Sequence, residues 1–288
     1  MMRGKGIIIY TDLDGTLLDH ETYSFAESLP AIRAAQSRGI PIVFCSSKTR
    51  GELELLRQQL QVNDPFIVEN GGAAIIPAHH FPFFSSRCPA RGDPTIALGT
   101  SYQSLVEALN ELRAAFPDQI IGFSDMTAEE VAFDCGLPLD EARLAKRREF
   151  DEPFRVVNAD TETVCRLKDA IRQFGLSCSE GGRYYHLHGN NDKGLAIRIL
   201  NRLFWAIETE IFTVGLGDGL NDLPMLAAVD YPVLVKRADG SHHQTVIEHL
   251  PQIHLTDSAG PRGWSEAVMN ILKQGVSKNE KKGRRIDG

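Results

Sequence analysis

A chain of 288 residues with 42% hydrophobic and 24% charged positions has the balance of an ordinary globular protein, large enough for one big domain or two unequal ones. The formal net charge of -7 argues against nucleic acid as a partner, and no apolar run approaches the roughly 20 residues that span a membrane. Five scattered cysteines (Cys45, Cys88, Cys135, Cys165, Cys178) without a C-x-x-C pair describe neither a disulfide framework nor a zinc site; with no signal-peptide pattern, the expected location is the cytoplasm.

The first segment, "IIIYTDLDGTLLD" at residues 7–19, is a buried-strand run that ends in Asp12 and Asp14 and breaks at Gly15. A helical spacing over 24–39 leads to a short apolar strand, "IPIVFCSS", over 40–47. A second helix is predicted over about 49–60 and a third strand, "PFIVENGG", over 65–72. Near-continuous apolar strands alternating with helices predict a parallel sheet covered on both faces.

The stretch 79–94, rich in Pro, Ser and Arg, reads as a connection out of this sheet. Helix-like segments such as "TSYQSLVEALNELRAAF" and "DEARLAKRREF" then mix with strand-like "PFRVVN" and "RYYHLH". The α/β grammar returns late, with a helix over 191–207, a strand and glycine turn over 211–219, a short helix over 221–229, a strand over 231–236 and a last helix over 263–274. The fold class is therefore α/β: a doubly wound, mainly parallel, Rossmann-like sheet with an inserted α+β cap domain. The core is placed at 1–85 and 189–275, the cap at 86–188 and a flexible tail at 276–288.

Polar groups gather where strands end: Asp12 and Asp14, Ser46, Asp218 and Asp222, with Lys193 opening the helix before the strand over 211–217. In a parallel sheet these ends share one edge. Carboxylates crowded there repel unless a cation or protons hold them, and oxygen ligands favour Mg²⁺ beside a phosphate. One lysine, one hydroxyl and paired carboxylates suit phosphoryl transfer, one carboxylate attacking phosphorus and the other serving the leaving oxygen and then water as general acid and base. The "GLGDG" turn lacks the G-x-G-x-x-G spacing of a dinucleotide site, and its Asp218 would oppose a pyrophosphate.

"DLDGT", "FCSS", a lysine opening a helix, and "GLGDGLND", in that order, resemble the four motifs of the haloacid dehalogenase superfamily of phosphatases, and the insert between the second and third resembles the α+β caps of its sugar-phosphatase branch. "VFCSSKT", "VENGG" and "GGRYYHL" are similar to the mannosyl-3-phosphoglycerate phosphatase family, whose likeness is partly shared by phosphatases of glucosyl-3-phosphoglycerate and sucrose phosphate. The resemblance implies Asp12 as nucleophile and Asp14 as general acid/base. It implies Mg²⁺ on the Asp12 side chain, the Asp14 carbonyl and Asp218, with Asp222 and Asn221 supporting the lysine and metal-bound waters, and Ser46 and Lys193 on the phosphate. Ser47, Lys48, Asn70 and Gly71 are further phosphate or substrate candidates, and Arg183, His186 and His188, near the end of the insert, are candidates for a substrate carboxylate, while Arg155 reads equally as a surface charge. A phosphomutase would use the same chemistry and differ in its product, whereas a non-catalytic regulator would not need both Asp12 and Asp14.

Overall fold

The computed structural model describes residues 6–78, 80–83, 93–117, 119–181, 184–208 and 210–274. The elements of the first part are β1 (Gly6–Thr11), α1 (Leu29–Gln36), β2 (Ile42–Cys45), α2 (Arg50–Leu60), β3 (Phe66–Val68), β4 (Ala73–Ile75) and β5 (Thr95–Ala97). The middle part holds α3 (Tyr102–Ala115), β6 (Ile120–Gly122), α4 (Ala128–Cys135), α5 (Leu139–Ala145), β7 (Asp151–Val156), α6 (Thr161–Gln173), β8 (Ser177–Gly181) and β9 (Tyr184–His188). The last part runs α7 (Lys193–Trp205), β10 (Ile211–Gly217), α8 (Leu223–Ala227), β11 (Tyr231–Lys236), α9 (Gln244–His249), β12 (His254–Ala259) and α10 (Gly260–Gln274).

Eight strands form the larger sheet in the order β12-β11-β10-β1-β2-β3-β4-β5. It is parallel from β12 to β3, and β4 is the reversed strand, paired antiparallel with both β3 and β5. Alternate residues feed two cores, as a two-residue side-chain period requires. Ile9, Phe44 and Leu216 pack under α1, α2 and α10, while Ile8, Tyr10 and Val43 pack under α7, α8 and α9. Burial on both faces explains why β1 and β2 read as unbroken apolar runs.

The segment 86–188 assigned to the insert needs one correction: β5 lies inside it by sequence yet pairs with β4 in the larger sheet. Three residues, two of them exposed, carry no periodic signal. The four-stranded antiparallel sheet β6-β7-β9-β8 is built from the rest of that segment. Phe154 and Leu187 turn one of its faces onto α3 and α6, and Ile121 and Tyr184 turn part of the other onto α4 and α5. The remainder of that second face carries Asp151, His186 and His188, since Asp151 is paired with His188 in register and His188 lies two residues from His186. The tail over 276–288 and Arg183 lie outside the described residues.

Candidate active site

The end of β1 is fixed from behind. Trp264 of α10 is fully buried and donates its Nε1 hydrogen to Thr11 Oγ1 at 2.9 Å, and the Asp12 amide donates to Leu216 O of β10 at 2.9 Å. The chain then turns at Gly15, whose φ of +76° lies in the left-handed region. A Cβ at Gly15 would stand 3.0 Å from Asp218 Oδ2, so the turns after β1 and β10 meet at this point.

Three carboxylates converge there. Asp12, Asp218 and Asp222 each offer an oxygen within 4.8 Å of the others. Lys193 enters from the first turn of α7 and donates from Nζ to Asp12 Oδ1 and Asp222 Oδ1, both at 2.6 Å. A cation at a helix N-terminus opposes the helix dipole, so the two carboxylates supply what the helix does not. The other oxygen of Asp222 accepts from the amides of Asp218 and Gly219 at 3.0 Å, and Thr16 Oγ1 donates to Asp218 Oδ1 at 3.2 Å.

The electrostatics are unbalanced. Burial, and then the negative charge of Asp222, push the Asp12 carboxyl well above the ordinary carboxylate range, against the pull of Lys193. Asp218 is pushed up to about 7 by burial and by Asp222. Burial alone would lower the Lys193 ammonium, but Asp12 and Asp222 outweigh it and hold the charge in place. One ammonium among three carboxylates leaves negative charge over, and an all-oxygen donor set with excess charge has the chemistry of a hard divalent-cation site.

Asp14 has a different partner. Its Oδ2 meets Lys48 Nζ at 3.0 Å, its side chain is 33% exposed, and its buried Oδ1 has no hydrogen-bond partner among the described residues. The Lys48 ammonium also lies 4.9 Å from the centre of the Tyr23 ring. Two aspartates one residue apart are thus held by two separate lysines.

Ser46 is buried at the end of β2, its Oγ accepting from the Lys48 amide at 3.2 Å. The carbonyls of three consecutive residues here are all held by neighbouring elements. Asn70 N donates to Ser46 O at 2.9 Å, Arg148 Nη1 to Ser47 O at 2.7 Å, and Glu69 N to Lys48 O at 3.1 Å. Glu69, Asn70 and Gly71 have φ values of 48°, 55° and 90°, a left-handed run costly for the first two and sustained only by its bonds. The Glu69 carboxylate receives the amides of Glu149 and Phe150. Asn70 Nδ2 donates to Asp151 Oδ2 at 3.2 Å, while Gly71 packs so closely on the chain entering α7 that a Cβ would fall 2.2 Å from Asp192 O.

Of the candidates in the insert, His186 is committed to Asp151, Nδ1 to Oδ1 at 2.8 Å. His188 Nδ1 donates to Gly189 O at 2.8 Å, which leaves Nε2 without a partner among the described residues, and burial lowers the affinity of this ring for a second proton. Arg155 is ion-paired to Asp134 at 2.6 Å on the insert sheet. Asn221 sits partly exposed in the 3-10 turn Leu220–Asp222, and among the described residues Lys193 bonds Asp12 and Asp222 rather than Asn221. Sequence reasoning missed Thr16, Glu69, Arg148 and Asp151. For Arg148 and Asp151, the dense charge of "KRREFDE" at the start of a strand was the signal available; Glu69 stood inside "VENGG" with no charge pattern around it.

Residues 9–88 match the family described as haloacid dehalogenase-like hydrolase. The chain is 43% identical over 266 residues, 92% of its length and 97% of the relative's, to the glucosyl-3-phosphoglycerate/mannosyl-3-phosphoglycerate phosphatase of Methanococcoides burtonii. It belongs to the haloacid dehalogenase-like hydrolases, as a phosphatase. More narrowly, it is 37% identical over 228 residues to the mannosyl-3-phosphoglycerate phosphatase of Pyrococcus furiosus, covering 79% of this chain and 90% of that one. Among solved structures, a phosphatase of the same superfamily from Bacteroides thetaiotaomicron superposes with a TM-score of 0.67 at 16% identity, covering 93% of this chain and 96% of that one. A subclass IIB sugar phosphatase superposes at 0.63 and 17% identity, covering 92% and 98%. At such identities the two structures speak for the fold. No helix among the described residues is long and apolar enough to cross a membrane.

Proposed function

We propose that this phosphatase hydrolyses the phosphomonoester of a glycosyl-3-phosphoglycerate, mannosyl or glucosyl, to the glycosylglycerate and free phosphate. The observation that carries the chemistry is Lys193 lying between Asp12 and Asp222 at 2.6 Å from each, inside a carboxylate cluster that one ammonium does not neutralise. Asp12 attacks phosphorus and forms an aspartyl phosphate, the phosphorus–oxygen bond to glycerate breaking as the new one forms. Asp14 delivers a proton to the departing glycerate oxygen, then takes one from the water that hydrolyses the acyl phosphate. Ser46 and Lys193 hold the equatorial phosphoryl oxygens.

Mg²⁺ fits the remaining donors: Asp12, Asp218 and the Asp14 carbonyl would hold it, with Asp222 fixing the turn that carries Asp218. When bound it supplies charge neutralisation at the phosphoryl oxygens. The insert serves as the cap that selects the leaving group. The two relatives carry the substrate by their names, and the carboxylate of such a substrate calls for a cation beside Asp14, where Lys48 stands.

The purified enzyme with Mg²⁺, offered mannosyl-3-phosphoglycerate, glucosyl-3-phosphoglycerate and sucrose phosphate, is expected to release free phosphate fastest from one of the first two. Preference for sucrose phosphate, or an isomeric phosphate ester in place of free phosphate, would overturn the substrate or the reaction respectively.

A further inference from the structure

The leaving oxygen of any substrate has to reach the Asp14 carboxyl, so the organic part of the ester begins beside Asp14. A cavity of about 360 Å³ adjoins that point through Lys48, which lies on its wall and is bonded to Asp14 at 3.0 Å. This size falls within the roughly 300–1,000 Å³ of small-molecule sites. Its walls come from the loop after β1, from Lys48 and α2, and from the α4–α5 connection (Gly136, Leu137, Pro138) with Glu141 and Leu144 of α5, so both the larger sheet's side and the insert enclose it.

The lining has a definite chemistry. Among the described residues Lys48 is its single cation, against three carboxylates, Glu21, Glu52 and Glu141. Leucines and the Tyr23 ring supply apolar surface between them. Carboxylates accept from hydroxyls, apolar side chains cover the C–H face of a pyranose, and a lining with excess negative charge rejects a second phosphate or a nucleotide. A group with many hydroxyls and one carboxylate at its near end matches this distribution.

We infer that the cavity is the glycosyl subsite: Lys48 at its mouth holds the glycerate carboxylate, and the sugar ring lies between α2 and the α4–α5 connection. This deepens the proposed function and rests on it. It makes the selection of the leaving group a joint property of α2 and the insert, with α2 contributing through Leu55 and Gln59, residues outside the catalytic set.

Leu55, 37% exposed on α2, can be enlarged without entering the core cluster. Leu55→Trp narrows the cavity, and Gln59→Trp, from an exposed position on the same helix, does so with the fold spared. Steady-state kinetics with the glycosyl-3-phosphoglycerate are expected to show KM raised at least tenfold in both variants. The inhibition constant of inorganic phosphate, which reads the phosphoryl site alone, is expected to change less than twofold. Unchanged KM in both variants, or KM and the phosphate constant rising together, overturns the subsite. Failure of the unsubstituted enzyme to turn over either glycosyl ester removes the proposed function and the subsite together.

Discussion

Two buried carboxylates, Asp12 and Asp151, behave in opposite ways. Asp12 sits among Asp218, Asp222 and a single ammonium, and its carboxyl is pushed up. Asp151 faces burial as complete, yet His186 and Arg148, together with further interactions, outweigh it and hold the carboxyl below the ordinary range. Asn70 adds a hydrogen bond. Burial is common to both, so the difference lies in the partners. The junction at Asp151 is complete as it stands, whereas the cluster at Asp12 has a surplus of charge that a cation would offset. A buried carboxylate with enough donors holds structure; one short of them marks chemistry.

The largest expected effect is on the reactive side of that contrast. Asp12→Asn removes the proposed nucleophile and is expected to lower kcat by at least about a thousandfold, measured as phosphate release, with the far-ultraviolet circular dichroism unchanged. Lys193→Met withdraws the ammonium proposed to hold the phosphoryl oxygens and is expected to cost about 10²–10³-fold in kcat. Retention of turnover by either variant would move the chemistry elsewhere.

On the structural side, Asp151→Asn leaves Arg148 and His186 without their counter-charge. Loss of one partner of a buried pair destabilises by about 3 kcal/mol or more, so the melting temperature is expected to fall while Mg²⁺ affinity stays at the wild-type value. An equal loss of metal affinity would mean that the two regions are not separate.

The smallest effect is in pH. Asp218, with an ordinary value of 3.8, is raised to about 7 in the fold, so the folded state binds its proton more tightly than the unfolded one. Its contribution therefore falls as pH rises from about 4 to about 7. Glu69, also pushed up to about 7 by burial, adds a similar slope that owes nothing to metal. Metal-free protein is expected to lose thermal stability across this window. Asp218→Asn should flatten only part of that slope, and a slope untouched by the substitution would contradict the assignment.

The sequence made the larger sheet legible because its central strands are buried on both faces and its polar residues cluster where strands end. The catalytic candidates followed, since Asp12, Ser46, Lys193 and Asp218 each stand at the end of a strongly patterned element. The short edge strand β5 was hidden, as three partly exposed residues have no period to read. The junction was hidden for another reason: Glu69 and Arg148 matter through bonds to distant backbone and Asp151 through the side chains of Asn70 and His186, and local pattern carries no trace of a partner 80 residues away. The cavity beside Lys48 is equally a product of assembly, drawn from three separate stretches of chain.

The central claim, that the Asp12 cluster is completed by a divalent cation, is tested most directly by calorimetric titration of Mg²⁺ into metal-free protein near pH 6.5 in two buffers of different ionisation enthalpy. One binding event with proton release is expected, because Asp218, pushed up to about 7, still holds much of its proton there. Asp218→Asn is expected to abolish that event and Asp151→Asn to leave it intact. Absence of binding, or binding that survives Asp218→Asn with the same proton release, would contradict the claim.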